Sequence, residues 1–124
     1  MAMTVPRVIV VEDDPGMRQA MIRILGLGGF EPVAFGSAED MLEKADDLGA
    51  LCMIIDVQLP GINGFALHAR LASLGREHPA IFISAFEEAE ARAQASRTGS
   101  PFLPKPFSGH SLLDAVRGFM PAEE

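Results

Sequence analysis

The sequence predicts one α/β domain, a doubly wound sandwich of five parallel strands with helices on both faces. Three observations predict it. Short apolar runs such as "RVIVV", Arg7 to Val11, and "LCMII", Leu51 to Ile55, have the length and composition of strands buried on both faces. Between such runs lie stretches whose apolar residues recur at helical spacing. The two kinds alternate along all 124 residues, with no internal repeat, linker or low-complexity tract between them.

Each element has its own grounds. After the first strand, Arg7 to Val11, Pro15 suits a first helical turn, and Met17, Met21, Ile22 and Leu25 carry a helix to about Leu27. "GLGG", Gly26 to Gly29, superficially like a dinucleotide loop, follows helix where that motif follows strand, so it reads as a helix stop and turn. "PVAF", residues 32 to 35, is a short second strand. Ser37 with Asp40 three residues on forms a capping box that opens a helix toward Ala45. "LCMII" is the third strand. Gly64 to Leu74 is amphipathic, with Phe65, Leu67, Leu71 and Leu74 available for the core. "AIFI", Ala80 to Ile83, is the fourth strand, and Glu87 to Thr98, rich in Ala, Glu and Arg, is helical with Gly99 as its stop. "PFL", Pro101 to Leu103, is a brief edge strand. Ser108 caps a last helix carrying Leu112, Leu113, Val116 and Phe119, and the chain closes on a short acidic tail, "PAEE".

Composition narrows the function. Apolar residues at 48% and charged residues at 22% are those of a globular chain that can bury a core. The net charge of −7 weighs against direct nucleic-acid binding, because phosphates reward a basic patch. The longest apolar run, Ala50 to Ile55, is far too short to span a bilayer, and "MAMTVPR" lacks a signal-peptide core. A lone Cys52 excludes an internal disulfide, suits a reducing cytoplasm, and reads as a small buried apolar residue. No zinc-type Cys/His spacing and no Walker loop occurs. His68, His78 and His110 lie on amphipathic or loop stretches without a shared partner and read as solvated; the seven Met residues read as core filler.

In an open α/β sheet, ligands sit beyond the carboxyl ends of the strands. The first strand ends in Glu12-Asp13-Asp14, the third in Asp56 and the fourth in Ser84, while the fifth runs into Lys105. The second, ending in Phe35 and Gly36, offers nothing reactive. In the order 2-1-3-4-5, one of the two common doubly wound orders, the first and third strands are neighbours, and the acids converge on one edge. Two carboxylates about 4 Å apart repel by roughly 4 kcal/mol at an effective dielectric near 20, so the cluster needs protons or cations. An all-oxygen donor set suits a hard divalent ion, with Mg²⁺ the expected choice. A carboxylate nucleophile, a metal, a cation and a hydroxyl donor are together the parts of a phosphoryl-transfer site. Asp14 reads as surface charge or as a charge at a helix N-terminus.

From Arg7 to about Phe119 the chain resembles the receiver domains of two-component response regulators. The resemblance is carried by "VIVVEDDPGMR", "IIDVQLPGINGF", "IFISAF" and "FLPKPF", in order and at suitable separations. "DVQLPGINGFALHARL" is most similar to the branch whose receivers often precede a helix-turn-helix effector. The resemblance implies a flavodoxin-like (βα)5 fold for residues 1–124, with its core at about 7–119; no effector domain is expected after Phe119, as for a stand-alone receiver or an excised module. It implies Asp56 as phosphoacceptor, and a Mg²⁺ site formed by Asp13, Asp56, the backbone carbonyl of Gln58 and, through water, Glu12. Ser84 would contact the phosphoryl group, Lys105 would pair with one of its oxygens, the Lys105–Pro106 peptide would be cis, and Phe102 falls on the family's aromatic switch position. Core filler is the competing role for Phe102.

Some positions depart from the family. It often has Thr where Ser84 stands, and the spacing from Asp56 to Ser84 is about two residues tighter than in many relatives. Gln58 and Phe86 stand where relatives tune phosphoryl lifetime. The implied partners are a sensor histidine kinase or histidine phosphotransfer protein and a downstream protein target or effector domain, with a phosphorylation-dependent dimer as a further state. The implied role is a switch of the face formed by the fourth helix, fifth strand and fifth helix, not a conventional enzyme. The alternative is a non-phosphorylated pseudo-receiver acting as an interaction scaffold, against which the full set of acids, hydroxyl and lysine argues. An aspartyl-nucleophile phosphatase of the haloacid dehalogenase kind would need Asp-x-Asp after its first strand and a cap insertion, and neither is here.

Overall fold

The computed structural model describes residues 5–44, 49–76, 78–85 and 89–121. Expectations that touch Ala45, Phe86, Glu87 or the residues after Pro121 lie outside them. The strands are Arg7–Val11 (β1), Glu31–Phe35 (β2), Cys52–Asp56 (β3), Ala80–Ser84 (β4) and Phe102–Pro104 (β5). They alternate with helices Pro15–Leu27 (α1), Ala38–Lys44 (α2), Gly64–Ser73 (α3), Ala89–Arg97 (α4) and Gly109–Arg117 (α5). The sheet is parallel throughout, in the order β2-β1-β3-β4-β5, as the sequence predicts.

Because side chains alternate across a strand, the three central strands feed two cores. Ile9, Val11, Met53, Ile55 and Phe82 meet Met41 of α2, Leu67 and Leu71 of α3 and Ala95 of α4. Val8, Val10, Cys52, Ile54, Ile81 and Ile83 meet Met21 and Leu25 of α1 and Leu112 and Val116 of α5. The Cys52 thiol is fully enclosed, and burial pushes its pKa up to about 12. Among the described residues no helix is long and apolar enough to cross a membrane.

Local chemistry fixes the helix ends. Asp14, Asn63 and Ser108 cap α1, α3 and α5, each side chain accepting from an amide three residues on, at 2.7, 2.8 and 3.0 Å. Ser37 Oγ accepts from Asp40 N at 3.0 Å. Gly28 caps α1 at its C-terminus and Gly29 follows at φ +93°, so "GLGG" is indeed a helix stop.

Several boundaries move by a residue, for identifiable reasons. β2 starts at Glu31 because that residue pairs with Arg7, backbone and side chain both, with a 2.9 Å ion pair at the sheet edge. β3 starts at Cys52 and keeps Asp56 in the ladder opposite Ile83. β5 shifts to Phe102–Pro104, opposite Phe82, Ile83 and Ser84. Leu74 caps α3 and is half-exposed, so it is no part of the core. His68 also departs from the solvated reading: half-buried, it sits edge-on to Phe82 at 5.6 Å, with Nε2 3.1 Å from the His78 carbonyl oxygen. His110 is exposed and pairs with Asp114 at 3.2 Å.

Candidate functional site

Register alone gathers the chemistry. Val11 lies beside Ile55, Asp56 beside Ile83, and Ser84 beside Pro104. The residues that follow β1, end β3, end β4 and follow β5 therefore share the carboxyl edge of the sheet, where open α/β folds hold ligands. Glu12 and Asp56 are buried, Asp13 is exposed, and one carboxylate oxygen from each lies within 4.8 Å of the others.

Lys105 reaches between the two buried acids. Its Nζ is 2.7 Å from Glu12 Oε1 and 3.1 Å from Asp56 Oδ2. The first contact is an ion pair without the alignment of a hydrogen bond; the second is a hydrogen bond. The remaining oxygens are also engaged: Glu12 Oε2 accepts from Asp14 N at 3.1 Å, and Asp56 Oδ1 accepts from Gln58 N at 3.0 Å. The lysine is aimed by its own backbone, whose amide donates to the Ser84 carbonyl at 2.7 Å, and the peptide that follows, Lys105–Pro106, is cis. Ser84 is buried at the end of β4.

Three carboxylates face one ammonium. At 4.8 Å, two of them repel by about 3 kcal/mol at an effective dielectric near 20. Burial pushes Glu12 up to about 7, against the pull of the Lys105 ammonium and the Asp14 amide, and the Asp56 charge adds to the rise. For Lys105, burial acts downward, but Glu12 and Asp56 outweigh it and hold the ammonium above its ordinary value. Both pKa values rise, which disfavours the charge on Glu12 and favours that on Lys105, because the cation has two anions to itself while each anion must share. The Glu12 side chain is also wholly enclosed, whereas that of Lys105 keeps 16% of its exposure. A hard divalent ion fits such a set: the donors are all oxygens, one of them on an accessible acid, and negative charge is in excess.

Gly64 sets the height of α3 against the site. A Cβ there would stand 2.5 Å from the Asp56 carbonyl oxygen and 2.9 Å from Ile55 Cγ2, so the helix start can seat on the end of β3 only without a side chain. Phe102 stands apart from the acids, at the start of β5. It is half-buried against the α2–α3–α4 core, with the Arg92 guanidinium carbon 4.9 Å above its ring centroid. Sequence reasoning missed Gly64, for which the Asn63-Gly64 step was the available signal. It also missed the direct Lys105–Glu12 contact, which no local pattern announces.

The sequence profile of the response regulator receiver domain matches residues 8–117. The chain belongs to that family. Nodulation protein W of Bradyrhizobium diazoefficiens is 40% identical over 110 residues, which cover 88% of this receiver and 48% of the relative. Transcriptional regulatory protein TdiR of Thauera aromatica is 34% identical, with 88% and 48% covered. The receiver thus spans about half the length of these curated relatives. Among solved structures, the response regulator StyR superposes with a TM-score of 0.83 at 33% identity, over 93% of this chain and 59% of that one. Vibrio cholerae chemotaxis protein CheY4 superposes at 0.85 over 94% of this chain and all of its own, and at 22% identity this speaks to the fold. Receiver domains are signalling switches of two-component systems and generally bind Mg²⁺ at an acidic pocket.

Proposed function

We propose that this receiver takes a phosphoryl group onto Asp56 from a phosphohistidine, on a sensor histidine kinase or a histidine phosphotransfer protein, in a Mg²⁺-dependent reaction. The observation that carries the reading is Asp56 itself: a buried strand-end carboxylate in contact with Lys105 and grouped with Glu12 and Asp13. In the transfer the phosphorus–nitrogen bond of the donor breaks, a bond from phosphorus to an Asp56 carboxylate oxygen forms, and the departing imidazole takes up a proton. Asp13, Asp56 and the Gln58 carbonyl would hold the ion, which supplies charge neutralisation for the phosphoryl oxygens. Glu12, whose two oxygens already engage Lys105 and Asp14 N, is suited to act through water.

Lys105 screens the incoming charge and then exchanges Asp56 Oδ2 for a phosphoryl oxygen, while the Ser84 hydroxyl donates to another. Those two residues end β4 and follow β5, so their movement is felt by α4, β5 and α5, the face offered to a downstream protein or effector domain. Phe102, beneath Arg92 on that face, is the aromatic that would change its setting. Water later cleaves the acyl phosphate and resets the switch. The scaffold alternative gains no support from a pocket in which acids, hydroxyl and lysine are all present.

Incubation with acetyl phosphate and Mg²⁺ followed by intact mass measurement tests this. A hydroxylamine-labile gain of one phosphoryl group, absent in Asp56→Asn, is expected. No gain in the wild-type chain would refute it.

A further inference from the structure

The acidic pair sits on a turn that is held from three directions. Glu12 N donates to the Phe35 carbonyl at 3.1 Å, tying the start of the turn to β2. Asp14 N donates to Glu12 Oε2, and Asp14 Oδ2 caps Met17 N at 2.7 Å, tying its end to α1. The third hold is Arg18. From the first turn of α1 its side chain folds back, and Nη1 donates to the Glu12 carbonyl at 2.9 Å and approaches the Asp13 carbonyl at 3.4 Å. Beneath it lies Gly36, just past β2: a Cβ there would meet Arg18 Nη1 at 3.2 Å and Cζ at 3.7 Å. Gly36 has no positive φ, so the backbone tolerates a side chain and only the guanidinium objects.

We propose that Arg18 is a positioning residue for divalent-ion binding: it grips the carbonyls of both Glu12 and Asp13 and fixes the direction in which their carboxylates point. The inference rests on the Mg²⁺ reading above. Two effects of the arginine oppose each other, which makes the sign of the experiment informative. As a cation beside an acidic pocket it repels a divalent ion, so its removal would tighten binding on electrostatic grounds alone. As the clamp on the turn it keeps the ligands in register, so its removal loosens them. Groups that orient metal ligands from behind are worth about 10- to 100-fold in affinity when lost. A lysine keeps the charge but carries it as a compact, strongly hydrated ammonium on a flexible stem, without the guanidinium Nη1 that meets both carbonyls.

The test is Mg²⁺ titration of the full chain, by calorimetry and by amide shifts of residues 12, 13, 56 and 58, for the wild type, Arg18→Gln, Arg18→Lys and Gly36→Ala, with urea unfolding of each as the control for folding. Arg18→Gln is expected to weaken Mg²⁺ binding about 10-fold despite deleting a repelling cation. Arg18→Lys should fail to restore it, and Gly36→Ala should weaken it in the same direction with Arg18 intact. Affinity unchanged or tightened in Arg18→Gln overturns the assignment. Should that variant not fold, Gly36→Ala decides alone, and unaltered affinity there overturns it equally. A wild-type chain that binds no Mg²⁺ removes the parent reading and this one together, whereas wild-type binding with unaffected variants removes only this one.

Discussion

Glu12→Gln is the sharpest probe of the pocket, because it keeps the side chain's shape and its acceptor for Asp14 N while deleting a charge that burial opposes. In the fold, Glu12 titrates near 7, above the 4.5 of an ordinary glutamate, so the native state holds this proton more tightly than the unfolded chain does. The stability that proton contributes is complete below about pH 4.5 and is lost as pH rises through about 7. At about 1.4 kcal/mol for each unit between those values, the metal-free wild type should forfeit about 3 kcal/mol by pH 8. Glu12→Gln, with nothing to titrate there, should escape that loss. It should be more stable than wild type by about 3 kcal/mol at pH 8, roughly 10 °C in Tm, and by under about 1 kcal/mol at pH 5. Urea and thermal unfolding followed by circular dichroism in EDTA, from pH 5 to 8, measure both. Parallel pH profiles for the two chains, or a Glu12→Gln less stable at pH 8, would refute the reasoning, since the ion pair with Lys105 would then outweigh the cost of burial.

Gly64→Ala should destabilise the fold by about 2–3 kcal/mol, since the new methyl meets backbone and a buried isoleucine side chain rather than a flexible tip. Its urea midpoint, together with lowered phosphoryl uptake at Asp56, checks this, and wild-type values in both would show that the contact relaxes freely. Arg92→Ala should cost under about 1 kcal/mol, the scale of an exposed cation–π contact, while shifting the Phe102 ring resonances. If fluoroberyllate with Mg²⁺ then leaves those resonances unmoved in the wild type, Phe102 is core and not a switch.

Much of the fold was legible because its signals are local. A five-residue apolar strand, a capping Ser and a Gly after a helix each act within a few residues, and "RVIVV", Ser108 and Gly29 stand as read, while Asp14, read as surface charge or a charge at a helix N-terminus, proves to be the cap of α1. Asp56 stood out because a strand buried on every residue ends on a charge. What escaped was non-local or depended on a single atom. Leu74 looked like core by spacing, but α3 ends at Ser73 and leaves it half-exposed. His68 looked solvated because its partners, Phe82 and the His78 carbonyl, arrive from β4 and the loop before it. Lys105 was assigned to an oxygen it has yet to meet, and its present contact with Glu12 spans the sheet from β5 to β1. Arg18 carried no local signal of its own, and only its fold back onto the turn distinguishes it.

The enclosed thiol of Cys52 gives the molecule a built-in clock. At neutral pH it is neither ionised nor within reach of an alkylating reagent, and it lies on the central strand opposite Val8. Its chemical labelling must therefore await rupture of the middle of the sheet. The pace of that labelling in native buffer reports how readily the centre of the sheet opens, and any ligand held by the native pocket that is lost on opening will slow it.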